Sequence, residues 1–96
     1  MNLKPKTLEL SPSILDEQSE VKIDKWIDIN SEECKDKDDN LPLTKKWLKW
    51  GIEDNFLFAD RNGRVWGKGN EGKYYPYHLE YGKKLYGIRL AQVAAN

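Results

Sequence analysis

Cys34 and His78 are the only thiol and the only imidazole in the chain, so chemistry has to be sought there first. A cysteine nucleophile needs a base beside it and surroundings that favour the thiolate. Cys34 sits among Glu32, Glu33 and Asp36, and nearby negative charge disfavours the thiolate. His78 lies far along the chain. A structural zinc site needs three or four Cys, His or carboxylate ligands at close spacing, and these two residues do not supply them. Asp36, Asp38 and Asn40 have the spacing of the first ligands of a calcium loop. However, Leu41 stands where the sharp turn requires Gly, and Trp47 where a bidentate Glu belongs.

Gly67-Lys68-Gly69-Asn70-Glu71-Gly72 formally matches the G-x-G-x-x-G of dinucleotide-binding folds. That motif works only between a strand and the helix whose N-terminus holds the phosphates. Lys73-Tyr74-Tyr75-Pro76-Tyr77 follows instead, which reads as extended chain, so the glycines read as a hairpin loop. Any two carboxylates that converge can serve as acid and base, but no spacing singles out a pair. The expectation is a protein that is not an enzyme and that uses no cofactor and no metal.

One constellation survives. Arg61, Arg64, Trp66, Lys68, Lys73, Tyr74, Tyr75, Tyr77, Tyr81, Lys83, Lys84, Tyr86 and Arg89 interleave over 29 residues. Exposed aromatics on a sheet stack bases while Lys and Arg hold phosphates, at roughly 1–3 kcal/mol per stacked base. Tyr, Trp and Arg are equally the residues that anchor protein interfaces. The third reading is that these aromatics are the core of a small domain short of aliphatics. Trp47 and Trp50, three residues apart, add a further contact, since both do not fit easily inside so small a core.

The elements that must position these residues follow from period and punctuation. Phe56-Leu57-Phe58 and Arg64-Val65-Trp66 flank Asp60-Arg61-Asn62-Gly63. Two such runs about an Asn-Gly pair predict a β-hairpin, because Asn and Gly tolerate the positive φ of tight hairpin loops. Val21, Ile23, Ile27 and Ile29 share one parity, with Lys25 interrupting the row, and predict a half-exposed strand over 21–29. Thr44 is the candidate N-cap of an amphipathic helix over 45–53, which Gly51 or Asn55 ends. Ser11-Pro12 reads as N-cap and N1 of a short helix through Ile14–Gln18. Pro76 confines 73–77 to an edge or irregular strand. Over 79–92 a hairpin competes with a helix. Gly82 and Gly87 would each cost the helix about 1 kcal/mol against Ala, which favours strands. The run 30–40, Asn30 to Asn40, has no hydrophobic period and reads as a solvated loop.

Bulk properties narrow the class. Ninety-six residues suffice for one domain. The apolar share is 39 %, and four Trp, five Tyr and two Phe supply much of it. Residues 1–42 carry eleven acids against six Lys, a net charge of −5, and residues 43–96 carry ten Lys plus Arg against five acids, a net charge of +5. Either the halves pack together or the basic half meets an acidic partner. Net neutrality argues against strong non-specific binding to nucleic acid. One cysteine points to a reducing compartment, and the lack of a long apolar run points to neither a signal peptide nor a membrane span.

The expected fold is α+β. A small antiparallel sheet of four or five strands, near 21–29, 56–59, 64–68, 73–77 and 85–90, carries one short amphipathic helix on one face. Residues 1–96 are expected to form a single domain with 1–10 and 30–40 flexible. The expected function is that of a cytoplasmic binding or regulatory protein with a larger protein as partner. Trp47, Trp50, Trp66, Tyr74, Tyr75 and Tyr77 would be anchors, and Arg61, Arg64, Lys73, Lys83 and Lys84 polar contacts. The alternative is a single-stranded nucleic-acid binder using the basic-aromatic half. No membrane contact is expected, and nothing in the sequence specifies an oligomeric state.

Overall fold

The computed structural model describes residues 7–30 and 45–90. Cys34, the calcium-like ligands 36–40, the Thr44 cap and most of the expected flexible stretches lie outside the described residues. Within them are two helices and six strands: α1 (Pro12–Gln18), β1 (Lys25–Asp28), α2 (Lys45–Glu53), β2 (Leu57–Ala59), β3 (Val65–Lys68), β4 (Tyr74–Pro76), β5 (His78–Tyr81) and β6 (Lys84–Arg89). The α+β class read from the sequence is the class observed.

The strands divide between two three-stranded sheets, in the orders β2-β3-β4 and β1-β6-β5, where one sheet was expected. The physical reason lies at Tyr77. Its N–H donates to Val65 O at 2.9 Å, and its carbonyl accepts from Ile88 N–H at 2.9 Å. One residue after Pro76 the chain therefore leaves one ladder and enters the other. The two sheets also meet where Arg64 and Arg89 form an isolated antiparallel bridge and Leu90 N–H donates to Gly63 O at 2.8 Å. Thr7 adds an isolated parallel bridge to Ala59. Within the two sheets the strand pairs are antiparallel except β1 with β6, which run parallel. A parallel pair needs a long crossover, and here α2 and β2–β5 lie within it.

The hairpin read from Asp60-Arg61-Asn62-Gly63 forms, by a different turn. Only Gly63 takes positive φ, at 81°. Asp60 N–H donates to Arg64 O at 2.9 Å and Gly63 N–H to Asp60 O at 3.0 Å. This is the three-residue loop in which a turn is followed by one left-handed residue. Tyr81 and Lys84 pair across the β5–β6 turn with Gly82 at φ 62°, so the strand reading of 79–90 holds over the helix. The strand expected over 21–29 begins only at Lys25. Val21 and Ile23 lie ahead of it, half-buried.

Two apolar clusters follow from the alternation of faces. Ile27, Ile29, Leu48, Leu57, Val65, Leu79 and Ile88 form the larger one, beneath α2. Leu8, Leu15 and Trp66 form the second, with Trp26, Phe58 and Tyr74 packed against it. α1 is seated there by Leu15, and its N-terminus is closed as the sequence predicts, by Ser11 Oγ accepting from Ile14 N–H at 3.4 Å. Among the described residues no helix is long and apolar enough to cross a membrane.

Candidate functional site

α2 is set on the β structure by Leu48, wholly buried, and by Ile52, packed at the core margin. Its closeness to β2 depends on Gly51. A Cβ there would collide with the Leu57 side chain, so glycine lets the helix lie directly on the strand. The helix ends in a Schellman turn. Asn55 takes the left-handed conformation at φ 62°, Phe56 N–H donates to Gly51 O at 2.8 Å and Asn55 N–H to Ile52 O at 3.2 Å. In that motif an apolar residue after the cap usually folds onto the last turn. Here that residue is Phe56, and the third position from the helix end is Gly51, which has no side chain to receive it.

The consequence is an aromatic surface. Trp47 is 49 % exposed, Trp50 47 % and Phe56 63 %. The two indoles meet edge to face, with centroids 5.3 Å apart and planes at 69°. Lys49 and Glu53, at 3.8 Å, form an ion pair on another side of the same helix. Trp47 and Trp50 were expected as anchors and both lie on the surface. Phe56 was read only as part of a strand. The signal that could have placed it outside was Asn55, a residue that tolerates the left-handed C-cap and turns the next residue back.

The remaining expected site residues separate. Trp66 is wholly buried, and its Nε1–H donates to Asp60 Oδ2 at 3.0 Å. It is a core residue, and its assignment as a surface anchor is corrected: its strand parity places it with Phe58 and Pro76, facing the second cluster. Tyr74 is half-buried and edge-on to Phe58 at 6.1 Å. Tyr77 is half-buried against the larger core, and burial, with Tyr75 adding to it, pushes its hydroxyl well above the usual tyrosine range. Tyr75 is exposed. Its ring covers Gly67, where an added Cβ would come within 2.7 Å of it. That contact is what the central strand glycine is for, and the glycine run leads through a short 3₁₀ turn, Asn70–Gly72, into β4 and not into a helix.

The basic residues are not gathered on one face. Arg61 lies in the β2–β3 turn, Lys73 at the opposite end of that sheet, and Lys83 and Lys84 at the β5–β6 turn, all exposed. Arg64 is held inward. Its guanidinium carbon stands 4.8 Å above the Trp26 ring, and Nη1 donates to Asp16 Oδ2 at 3.4 Å. These residues border an open cleft of about 420 Å³, with Val21, Lys22, Ile23 and Asp24. Trp26 itself lies on Gly87 and against Trp66, at 5.3 Å.

The acid–base inventory is short. Asp60 is buried, and its two oxygens accept from Asn62 N–H at 2.8 Å, Arg64 N–H at 2.9 Å and the Trp66 indole. Every one of these bonds builds the hairpin. His78 Nδ1 lies 2.7 Å from Pro76 O. A carbonyl only accepts, so Nδ1 carries the proton. Among the described residues no three His, Cys, Asp or Glu side chains are grouped to hold a metal.

No protein-family model matches the chain, and no curated protein or solved structure is significantly similar to it.

Proposed function

We propose that this chain is a small non-enzymatic binding protein that docks another protein through the aromatic surface of α2 and its C-cap. The observation that carries the reading is the placement of Trp47, Trp50 and Phe56, each about half exposed or more, on one helix and the turn that ends it. Trp is the residue most enriched among interface hot spots, and such residues lose the most when truncated. A run of large aromatics on the surface marks a contact site more often than it marks an accident of packing. Tyr75 is a secondary candidate anchor. Arg61, Lys73, Lys83 and Lys84 are available as rim contacts. The single cysteine fits a reducing compartment, and we place the protein in the cytoplasm on that ground.

The alternative, a single-stranded nucleic-acid binder, has less support. Base stacking needs exposed aromatic faces beside a continuous basic groove. Of Trp66, Tyr74, Tyr75 and Tyr77, only Tyr75 is exposed, and the cations sit at separate turns.

The test is capture from the native host's lysate, with and without nuclease, by the wild-type chain and by a Trp47→Ala/Trp50→Ala variant. Thermal melts confirm that both are folded. The expected result is a protein retained by the wild type after nuclease and lost with the variant, by at least ~2 kcal/mol in affinity for a true anchor. Capture indifferent to the two substitutions overturns the reading. Capture that disappears with nuclease transfers it to nucleic acid.

A further inference from the structure

β4 and β5 run on as one strand, with both neighbours on the same side of it. Tyr77 bonds to Val65 of β3 through its N–H and to Ile88 of β6 through its carbonyl, both at 2.9 Å. In a strand the N–H and C=O of one residue point the same way, and those of the next residue point the opposite way. Tyr77, Leu79 and Tyr81 therefore turn their backbone groups inward, and His78 and Glu80 turn theirs outward. β5 ends its sheet and pairs with β6 alone, so these outward groups find no partner among the described residues. Earlier on the same edge, Pro76 has no N–H, and its carbonyl lies 2.7 Å from His78 Nδ1. The open part of the edge is the N–H and C=O of His78 and of Glu80. An uncovered edge is a template for another strand.

We propose that this edge pairs with the same edge of a second copy, antiparallel about a two-fold axis at Leu79. The contact goes beyond the docking reading and uses another surface. A two-fold contact is self-complementary, and side chains opposed across strands share a face, so the axis passes through a residue and not between two. Centred on His78, it would set Glu80 against the partner's Pro76, which has no donor and whose carbonyl is already taken. Centred on Glu80, it would set the two Glu80 carboxylates side by side, and like charges directly opposite are destabilising. Centred on Leu79, it sets His78 against the partner's Glu80 twice. His78 N–H then donates to the partner's Glu80 O and His78 O accepts from the partner's Glu80 N–H, and symmetry repeats both, so every outward group is satisfied. Pairing stops where Pro76 meets the partner's Gly82, at the turn. His78 is half-buried and Glu80 exposed, on one face, and Leu79 stays in the core on the other. The His78 ring holds Pro76 O through Nδ1, which leaves Nε2 to donate to the facing carboxylate when it too carries a proton. The sheet β1-β6-β5 continues into the partner's β5. So short an edge covers far less than the roughly 800 Å² per side of a standard interface, and the dimer is weak.

The experiment is amide hydrogen exchange by NMR on the full chain at about 20 µM and about 1 mM, with sedimentation velocity giving the mass. For a dissociation constant of about 0.3 mM, about a third of the chains are monomeric at the higher concentration, so His78 and Glu80 N–H are expected to exchange about threefold more slowly there. Leu79 and Tyr81, already bonded to β6, are expected to change far less. Glu80→Pro removes an outward donor and no bond to β6, and is expected to be monomeric. Glu80→Lys keeps every backbone group but sets an ammonium beside the partner's His78, and is expected to raise the dissociation constant at least about threefold. It serves where circular dichroism shows the proline variant unfolded. Trp47→Ala/Trp50→Ala is expected to dimerise as the wild type does. Exchange at His78 and Glu80 that ignores concentration overturns the proposal. So does a folded Glu80→Pro that still dimerises, a Glu80→Lys dimer as tight as the wild type, or a dimer lost with Trp47→Ala/Trp50→Ala. Capture of another protein through α2 is read separately and stands or falls without this edge.

Discussion

Asp60→Ala should be the most damaging single polar substitution among the described residues. The carboxylate is 4 % exposed and accepts three hydrogen bonds. The one that matters most comes from the indole of Trp66, a side chain with no solvent exposure. Removing the acceptor leaves that N–H buried and unsatisfied, at about 1–3 kcal/mol. The bonds from Asn62 and Arg64 N–H go to a carboxylate, and such bonds are worth roughly 1.5–3 kcal/mol each. Asn62 is exposed, so water replaces most of its share. The total comes to about 3–5 kcal/mol, a large part of the 5–15 kcal/mol typical of a domain. At about 4–8 °C per kcal/mol for a chain of this size, the melting temperature falls by roughly 12–40 °C. Urea denaturation followed by tryptophan fluorescence measures it. Asp60→Asn keeps one acceptor, enough for the turn or for the indole, and should lose about half as much. If Asp60→Ala stays within about 1 kcal/mol of the wild type, the turn and Trp66 do not depend on this carboxylate and the argument is wrong.

Gly87→Ala puts a Cβ within 2.5 Å of the Trp26 ring. The ring must leave its places against Trp66 and under Arg64. Overpacking costs about 1–3 kcal/mol against a gain of roughly 0.5–1 kcal/mol for replacing Gly in a strand, so a net loss of about 1–2 kcal/mol is expected in denaturant titrations; a more stable variant would contradict it. Tyr77 predicts an alkaline limb in stability. Its hydroxyl is raised in the folded state by burial and then by Tyr75, so above about pH 10 the unfolded chain loses this proton first. The folded state then binds more protons than the unfolded one and stability falls with rising pH. Tyr77→Phe should flatten that fall, by up to one proton's worth, in urea titrations at about pH 10–12, and an unchanged slope would dismiss the assignment.

Much of the local structure was legible because short-range signals agreed. Ser11-Pro12 starts a helix through one side-chain oxygen and a missing N–H, and both act within three residues. Gly82 ends the contest between helix and hairpin at 79–90 because a left-handed turn is nearly free for glycine. The β2–β3 hairpin was readable too, although the Asn-Gly pair suggested two positive φ values where Gly63 alone supplies one. The two-sheet arrangement was not readable. It turns on Tyr77 bonding to Val65 on one side and Ile88 on the other, and neither partner is near it in sequence.

The candidate site divides the same way. That Trp47 and Trp50 would not both fit inside the core was expected from their spacing on a short helix; that Leu48 and Ile52 take its inner face was decided by the packing. That Phe56 joins them at the surface depended on Gly51 lying against Leu57 and on Asn55 turning the chain. Trp66 was misplaced because composition cannot tell a buried aromatic from an exposed one. The acceptor that makes its burial tolerable, Asp60, reads in sequence as one more turn residue.

By itself the sequence determined the α+β class and, among the described residues, the positions of most turns and of the caps at Ser11 and Asn55. Those depend on residue type and on neighbours a few positions away. Only the tertiary structure decided which aromatics face water. Burial is settled by what packs on the other side, and for this chain that is a glycine under Leu57, a carboxylate beside Trp66 and a strand crossing at Tyr77.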